Sequence, residues 1–252
     1  MKKGYVLITG ASSGIGKELA SLYAQEGYPL ILVSRNKEAL QQVKMELGKD
    51  SIEIRTCDLY KEEQVFSLYQ SIKNYNIEIL INNAGAGKSG TLVELKEQTV
   101  LNLIHLNVSS MSLLTQLVAK GMVERGKGKI LIVASTAAFG PDVGLNVYGP
   151  TKAYAYNFAQ TLRGELGKTG VQVSCLCPGP TKTNWSKNAG RKESKTAMDA
   201  KTVARVAYKG LEKNKACIIP GFKNKVLYIC SKIIPDSLIG KVTASFQKRL
   251  KK

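Results

Sequence analysis

The chain has little with which to hold a metal ion. Its 252 residues include one histidine, His105, and five cysteines: Cys57, Cys175, Cys177, Cys217 and Cys230. The cysteines show no metal-like spacing, so no metal site is expected. An odd, scattered set also argues against a disulfide framework, and the expectation is reduced core thiols in a cytoplasmic protein. Long apolar runs are missing as well. None approaches the ~20 residues of a membrane-spanning helix. The apolar run behind Met1-Lys2-Lys3 stops at Thr9-Gly10, too short for a signal peptide. Acidic side chains are scarce: 19 Asp and Glu stand against 37 Lys and Arg, a formal net charge of +18. That balance favours anionic partners, namely phosphorylated cofactors, acidic substrates, membrane surfaces or nucleic acid. No recognised nucleic-acid motif accompanies the charge, so nucleic acid is not expected.

The informative stretch is Tyr5 to Ala24. Val6-Leu7-Ile8 reads as a short buried strand. The string Thr9-Gly10-Ala11-Ser12-Ser13-Gly14-Ile15-Gly16 then leads into a periodic segment with Leu19, Ala20, Leu22, Tyr23 and Ala24. A helix that starts at the end of a parallel strand aims its free N–H groups and dipole at one spot, which suits a phosphate. Glycines there let an anion approach the backbone. The expected occupant is the pyrophosphate of a dinucleotide, held by Gly10, Ser12, Ser13, Gly14, Ile15 and Gly16. Further strands are read at Leu30 to Ser34, Ile52 to Ile54, Ile77 to Ile81, Lys129 to Ser135 and Val171 to Cys177, with helical segments between them. Alternating strands and helices imply right-handed crossovers and a parallel sheet. The fold class is therefore α/β, a doubly wound, Rossmann-type parallel sheet in one domain covering 1–252. Ligands of such a sheet bind outside the carboxyl ends of its strands.

The second strand ends at Ser34-Arg35 with no acid beside it. An acid at this point would bind a ribose 2′-hydroxyl, whereas an arginine can grip a 2′-phosphate. NADP(H) is therefore expected over NAD(H). Asp58 in Cys57-Asp58-Leu59 is placed either to accept from the adenine amino group or to cap the helix that starts near Lys61. The stretch from about Gln98 to Met122 reads as one long helix. It carries Asn107, and His105 on another side in a structural role.

Tyr-x-x-x-Lys occurs three times, at Tyr69/Lys73, Tyr148/Lys152 and Tyr228/Lys232. Only Tyr148 has a serine at a suitable distance upstream, Ser135 at a strand end. Residues four apart share one helix face, and Pro150 between them is tolerated in a first helical turn. Hydride transfer to a carbonyl carbon builds charge on the oxygen, which a proton donor must meet. An ammonium beside a tyrosine lowers its pKa toward neutrality.

The Thr-Gly-Ala-Ser-Ser-Gly-Ile-Gly string, Asn82-Asn83-Ala84-Gly85, Ser135, Tyr148/Lys152 and Pro178-Gly179 follow one another in an order that resembles the classical short-chain dehydrogenases/reductases. The resemblance covers about Gly4 to Trp185. It implies an NADP-dependent oxidoreductase acting reversibly on a ketone or aldehyde. Tyr148 would be the acid/base, and Lys152 would tune it and bind the nicotinamide ribose. Ser135 would partner the substrate oxygen, and Asn107 would hold a water for proton relay. It further implies cofactor contacts at Asp58, Leu59, Asn83, Ala84, Gly85, Pro178, Gly179, Thr181 and Thr183, and a homodimer or homotetramer formed through the long helices around Asn107 and Tyr154. A non-enzymatic dinucleotide sensor on the same fold is the alternative.

Asn184 to Asp199 reads as a polar substrate-covering loop, or as a surface loop anchored by Trp185. Past Phe222 the resemblance thins. Residues 222–252 carry eight Lys and Arg and one acid, Asp236. Leu238, Ile239, Val242, Phe246 and Leu250 recur near helical spacing from a start at Pro235-Asp236. This basic amphipathic segment is expected to cover the cleft or a partner subunit, with peripheral contact to an anionic membrane as the other reading.

Overall fold

A computed structural model describes residues 3–250, with backbone alone for 246–250. The order is β1 (Tyr5–Thr9), α1 (Gly14–Gln25), β2 (Leu30–Ser34), α2 (Lys37–Leu47), β3 (Ile52–Thr56), α3 (Glu62–Ile72), β4 (Ile77–Asn82), α4 (Glu97–Ile104), α5 (Met111–Glu124), β5 (Gly128–Val133), α6 (Tyr148–Leu166) and β6 (Val171–Leu176). It continues with β7 (Thr181–Lys182), α7 (Trp185–Asn188), β8 (Met198–Asp199), α8 (Ala200–Glu212), β9 (Cys217–Ile218), α9 (Phe222–Ser231) and α10 (Asp236–Leu250).

Seven strands form one parallel sheet in the order β3-β2-β1-β4-β5-β6-β9. The order reverses between β1 and β4, so the ends of these two strands diverge and open a crevice. The strands read as near-continuous apolar runs because helices cover both faces. Leu7, Ile31, Leu80 and Ile130 face a core layer shared with α3, α5 and α6. Val6, Ile8, Leu30 and Ile79 face the opposite layer with α1, α2 and α8. This is the doubly wound parallel sheet expected from the sequence; β7 and β8 pair separately with each other. The cysteines are free, and Cys175 and Cys177 project to the same side of β6, their sulfurs 3.7 Å apart.

Two elements depart from the sequence reading. The long helix expected over Gln98 to Met122 is interrupted: His105–Ser110 forms a π-helical turn between α4 and α5. Such turns carry one extra residue and mark sites where a side chain must be re-aimed. Beyond β9 an additional helix, α9, precedes the expected α10, which starts at Asp236 as read. The side chains of Phe246 and Leu250, part of the amphipathic pattern, lie outside the described residues. Among the described residues no helix is long and apolar enough to cross a membrane.

Candidate active site

Thr9 ends β1 as a fully buried polar residue, and its hydroxyl oxygen accepts the N–H groups of Asn83 and Ala84, both at 3.0 Å. Asn83 Nδ2 in turn donates to the carbonyls of Thr9 (3.0 Å) and Gly10 (3.1 Å). The end of β4 thereby holds the glycine turn that follows β1. Gly14 sits at φ +56°, and a Cβ there would lie 2.8 Å from Thr183 Cγ2. A Cβ on Gly16 would run into the Gly10 carbonyl, so α1 can start this close to the strand only with glycine. Ser13, at the N-cap of α1, makes no capping bond with its side chain, and the first turn holds no acid. The positive end of the helix is left open toward the cleft.

The neighbouring wall comes from β2 and β3. Ser34 Oγ donates to Ser12 Oγ at 2.9 Å. The Arg35 guanidinium lies 4.7 Å above the ring of Tyr60, a stacking that orients its fork. Asp58 does not cap α3, whose N-cap is Lys61; its Oδ1 accepts the Tyr60 N–H at 3.2 Å. That corrects the capping alternative and leaves the carboxylate on the cleft wall. Tyr60 and Thr9 were not foreseen as site residues. A polar Thr closing an apolar strand was the one available signal for Thr9.

Tyr148 opens α6, with Pro150 in its first turn. Its phenol faces the same cleft as Ser135, whose side chain draws the phenol's pKa down and whose Oγ accepts the Ala137 N–H at 3.1 Å. Lys152 is buried one turn on and donates to the Val133 carbonyl at 2.8 Å, its Nζ 5.8 Å from the Tyr148 ring centre. Burial pushes the phenol up to about 12, partly offset by Ser135. Burial brings the ammonium down to about 8. The expectation that Lys152 lowers the Tyr148 pKa is therefore reversed here: desolvation of the phenolate dominates, and the ammonium is drawn to a strand-end carbonyl.

Asn107 lies in the π turn and is buried. Its Oδ1 accepts the Ala86 N–H at 3.0 Å, and its Nδ2 donates to the Ala86 carbonyl (2.8 Å) and to Thr151 Oγ1 (3.0 Å). Thr151 then donates to the Tyr148 carbonyl at 2.7 Å. The side chain is thus engaged in positioning the segment around Ala86 and α6. A Cβ on Gly85 would stand 3.0 Å from Lys152 Nζ and 3.3 Å from Asn107 Oδ1, so both side chains approach the backbone closely there.

Most of these groups meet in one cleft of about 1920 Å³. Of the residues expected at the site, Gly16 and Asn107 stand just behind its wall, and the others line it. Single small-molecule sites run to roughly 300–1,000 Å³, so the cleft has room for a dinucleotide and a second ligand. Pro178 and Gly179 follow β6, and Asn224 of α9 lies against Gly179. The Thr183 hydroxyl accepts the Trp185 N–H at 3.2 Å. Trp185 packs on Tyr148, ring centres 4.8 Å apart, above Gly87. The tryptophan therefore covers the tyrosine rather than anchoring the loop in the core.

The C-terminal segment and the loop after β5 add an apolar group to the cleft wall, with Asp142, Ser231 and Thr243 among it. Phe139, Leu145, Leu227, Cys230, Ile234 and Ile239 make up that group. Thr243 of α10 donates to the Pro141 carbonyl at 3.0 Å, and a Cβ on Gly140 would lie 3.1 Å from Ile239. The C-terminal segment thus packs over the cleft.

The model of the short chain dehydrogenase family matches residues 4–194. An uncharacterised oxidoreductase of Staphylococcus aureus strain USA300 is 32% identical over 179 residues, covering 70% of this chain and 78% of that protein. Among solved structures, a short-chain dehydrogenase from Sphingobium yanoikuyae in complex with NADPH superposes with a TM-score of 0.85 at 30% identity, covering 97% of this chain and 95% of that one. A bulky-bulky ketone specific alcohol dehydrogenase from Comamonas testosteroni superposes with a TM-score of 0.79 at 27% identity, covering 100% and 95%.

The Asn107 contacts carry a prediction. Asn107→Ala leaves the Ala86 and Thr151 groups unpaired in a buried place and should lower stability by roughly 1–3 kcal/mol. Urea unfolding checks this, and an unchanged midpoint would contradict the positioning role.

Proposed function

The chain belongs to the short-chain dehydrogenase family, and we propose that it is an NADPH-dependent reductase of bulky, largely apolar ketones or aldehydes. The observation that carries the reading is the gathering of Ser135, Tyr148 and Lys152 in one cleft with the glycine cradle, Lys152 held by the Val133 carbonyl. The residues present fit a dinucleotide. The open N-terminus of α1 and the close approaches at Gly14 and Gly16 suit a pyrophosphate. Arg35, with Ser34 in place of an acid, suits a 2′-phosphate. Asp58 would take the adenine amino group. The strand-end segment Asn83 to Gly85, with Lys152, Thr181 and Thr183, would hold the nicotinamide half.

When bound, the reduced nicotinamide supplies a hydride to the carbonyl carbon. The protein's part is to place that carbon and to manage the proton. Ser135 donates to the carbonyl oxygen and stabilises the charge that grows there. Tyr148 donates the proton that completes the alcohol. With its phenol held near 12, Tyr148 is protonated at neutral pH, which suits reduction. Lys152, still largely cationic there, offsets the charge left on the phenolate. Trp185 over Tyr148 limits water at the reacting oxygen. The apolar group under α9 and α10 would take the bulk of the substrate. The specificity of the Comamonas neighbour for bulky-bulky ketones agrees with that wall.

The exposed apolar side chains of α4 and α6, Leu101, Ile104 and Tyr154, support a homodimer or homotetramer built through these helices. A cytoplasmic location accords with the free cysteines.

Three outcomes test the proposal. Tyr148→Phe should reduce NADPH oxidation with a panel of bulky ketones by 10² or more, as expected for loss of a general acid, while cofactor binding followed by fluorescence stays intact. Tight NADPH binding with no turnover by the native protein on any carbonyl would instead assign a dinucleotide sensor. The reduction rate should fall as pH rises through about 8, because Lys152 loses its charge there; a rate flat to pH 10 would remove the lysine from the proton step. Arg35→Ala should weaken NADPH roughly tenfold or more and leave NADH nearly unchanged, a contrast that titration of both cofactors reads directly.

A further inference from the structure

Helix α9 presents three faces. Tyr228 turns inward, against Phe139 at 4.8 Å between ring centres and hydrogen-bonded to Tyr156. Leu227 and Cys230 line the cleft. The third face is unpartnered: Phe222 is 80% exposed, Val226 42% and Ile229 58%, and Ile233 just past the helix 78%. Steps of four, three and four residues keep them on one side. Leu238 and Val242, each 52% exposed and four residues apart, repeat the pattern on α10, whose Ile239 and Thr243 face the cleft.

Scattered exposed apolar side chains are ordinary, but a row of them on consecutive helices marks an interaction surface. Its charge identifies the partner. Lys223, Lys225 and Lys241 accompany the row, whereas Lys232 turns inward over the rings of Tyr156 and Tyr228; no acid occurs between Glu212 and Asp236. We propose that this face docks on an anionic lipid bilayer, the apolar row entering the headgroup boundary and the lysines meeting lipid phosphates. Large apolar side chains beside lysines are the composition of an interfacial helix. A second copy of the chain fits less well. A twofold contact sets a surface against itself, which would bring lysines to lysines. Nucleic acid would match the charge and leave the apolar row uncovered.

The full chain is sedimented with vesicles of phosphatidylcholine alone or with a third of phosphatidylglycerol. Each lysine near an anionic surface is worth about fivefold in affinity, so the mixed vesicles should bind at least about tenfold more tightly. The variant carrying Phe222→Ser, Ile229→Ser and Ile233→Ser should lose about tenfold or more on the mixed vesicles. The variant carrying Lys223→Glu and Lys225→Glu should lose at least as much. Thermal unfolding at the native temperature shows that each variant is folded; because the two sets are independent, either one reads the surface if the other misfolds. No binding of the native protein to mixed vesicles overturns the proposal. Equal binding by the native protein and the serine variant overturns it too, since diffuse charge would then explain the adsorption. A native dimer that the serine variant dissociates, with no vesicle binding, assigns the face to a second copy instead.

Discussion

The site depends on one cross-strand clamp. Asn83 donates to the carbonyls of Thr9 and Gly10, and Thr9 answers by accepting two N–H groups from the end of β4. Adjacent strand ends at a reversal of sheet order diverge, and a turn placed there would otherwise have its backbone polar groups unpaired. The clamp fixes the turn and begins a longer path. From Ala84 the chain runs to Ala86, where Asn107 pairs with both backbone groups. Asn107 then reaches Thr151, and Thr151 holds the carbonyl of Tyr148. A continuous set of directed bonds thus joins the phosphate-type cradle to the helix bearing the phenol. Both halves of the reaction geometry are set by the same strand end.

The electrostatics follow from the depth of that arrangement. Among the described residues, no ion pair includes Lys152. A buried ammonium without a carboxylate is unfavourable unless hydrogen bonds hold it, and here the Val133 carbonyl does so. The pKa values of Lys152 and Tyr148 move toward their neutral forms for the same reason. The proton inventory of the site is therefore set by burial more than by the attraction between the two groups. Sequence spacing suggested the opposite emphasis, because spacing reports proximity and says nothing of solvent.

Much of the architecture was legible beforehand. Runs such as 30–33 in β2 and 130–133 in β5 are apolar throughout because both sheet faces are covered, and Gly or Asn marks many of the strand ends. The cleft residues were legible because they sit in ordered motifs at those ends. What escaped was long-range. Tyr60 beneath Arg35 and Trp185 over Tyr148 are tertiary contacts with no local pattern. The π turn shows no break in apolar periodicity strong enough to read. Helix α9 was hidden by its three-sided use, since a helix that meets core, cleft and solvent has no single apolar stripe.

The π turn has a consequence for how this chain can vary. One residue of an α-helix corresponds to about 100° of rotation. The additional residue in His105–Ser110 lets α4 turn Leu101 and Ile104 outward while α5 buries Leu114 and Val118. Loss of a single residue anywhere in that turn would restore a regular helix and swing one half against the other. Asn107 would leave Ala86, and the outward face of α4 would rotate away at the same moment. The length of this helix is locked, and any relative with a one-residue gap there must have rebuilt both the site and the outer face.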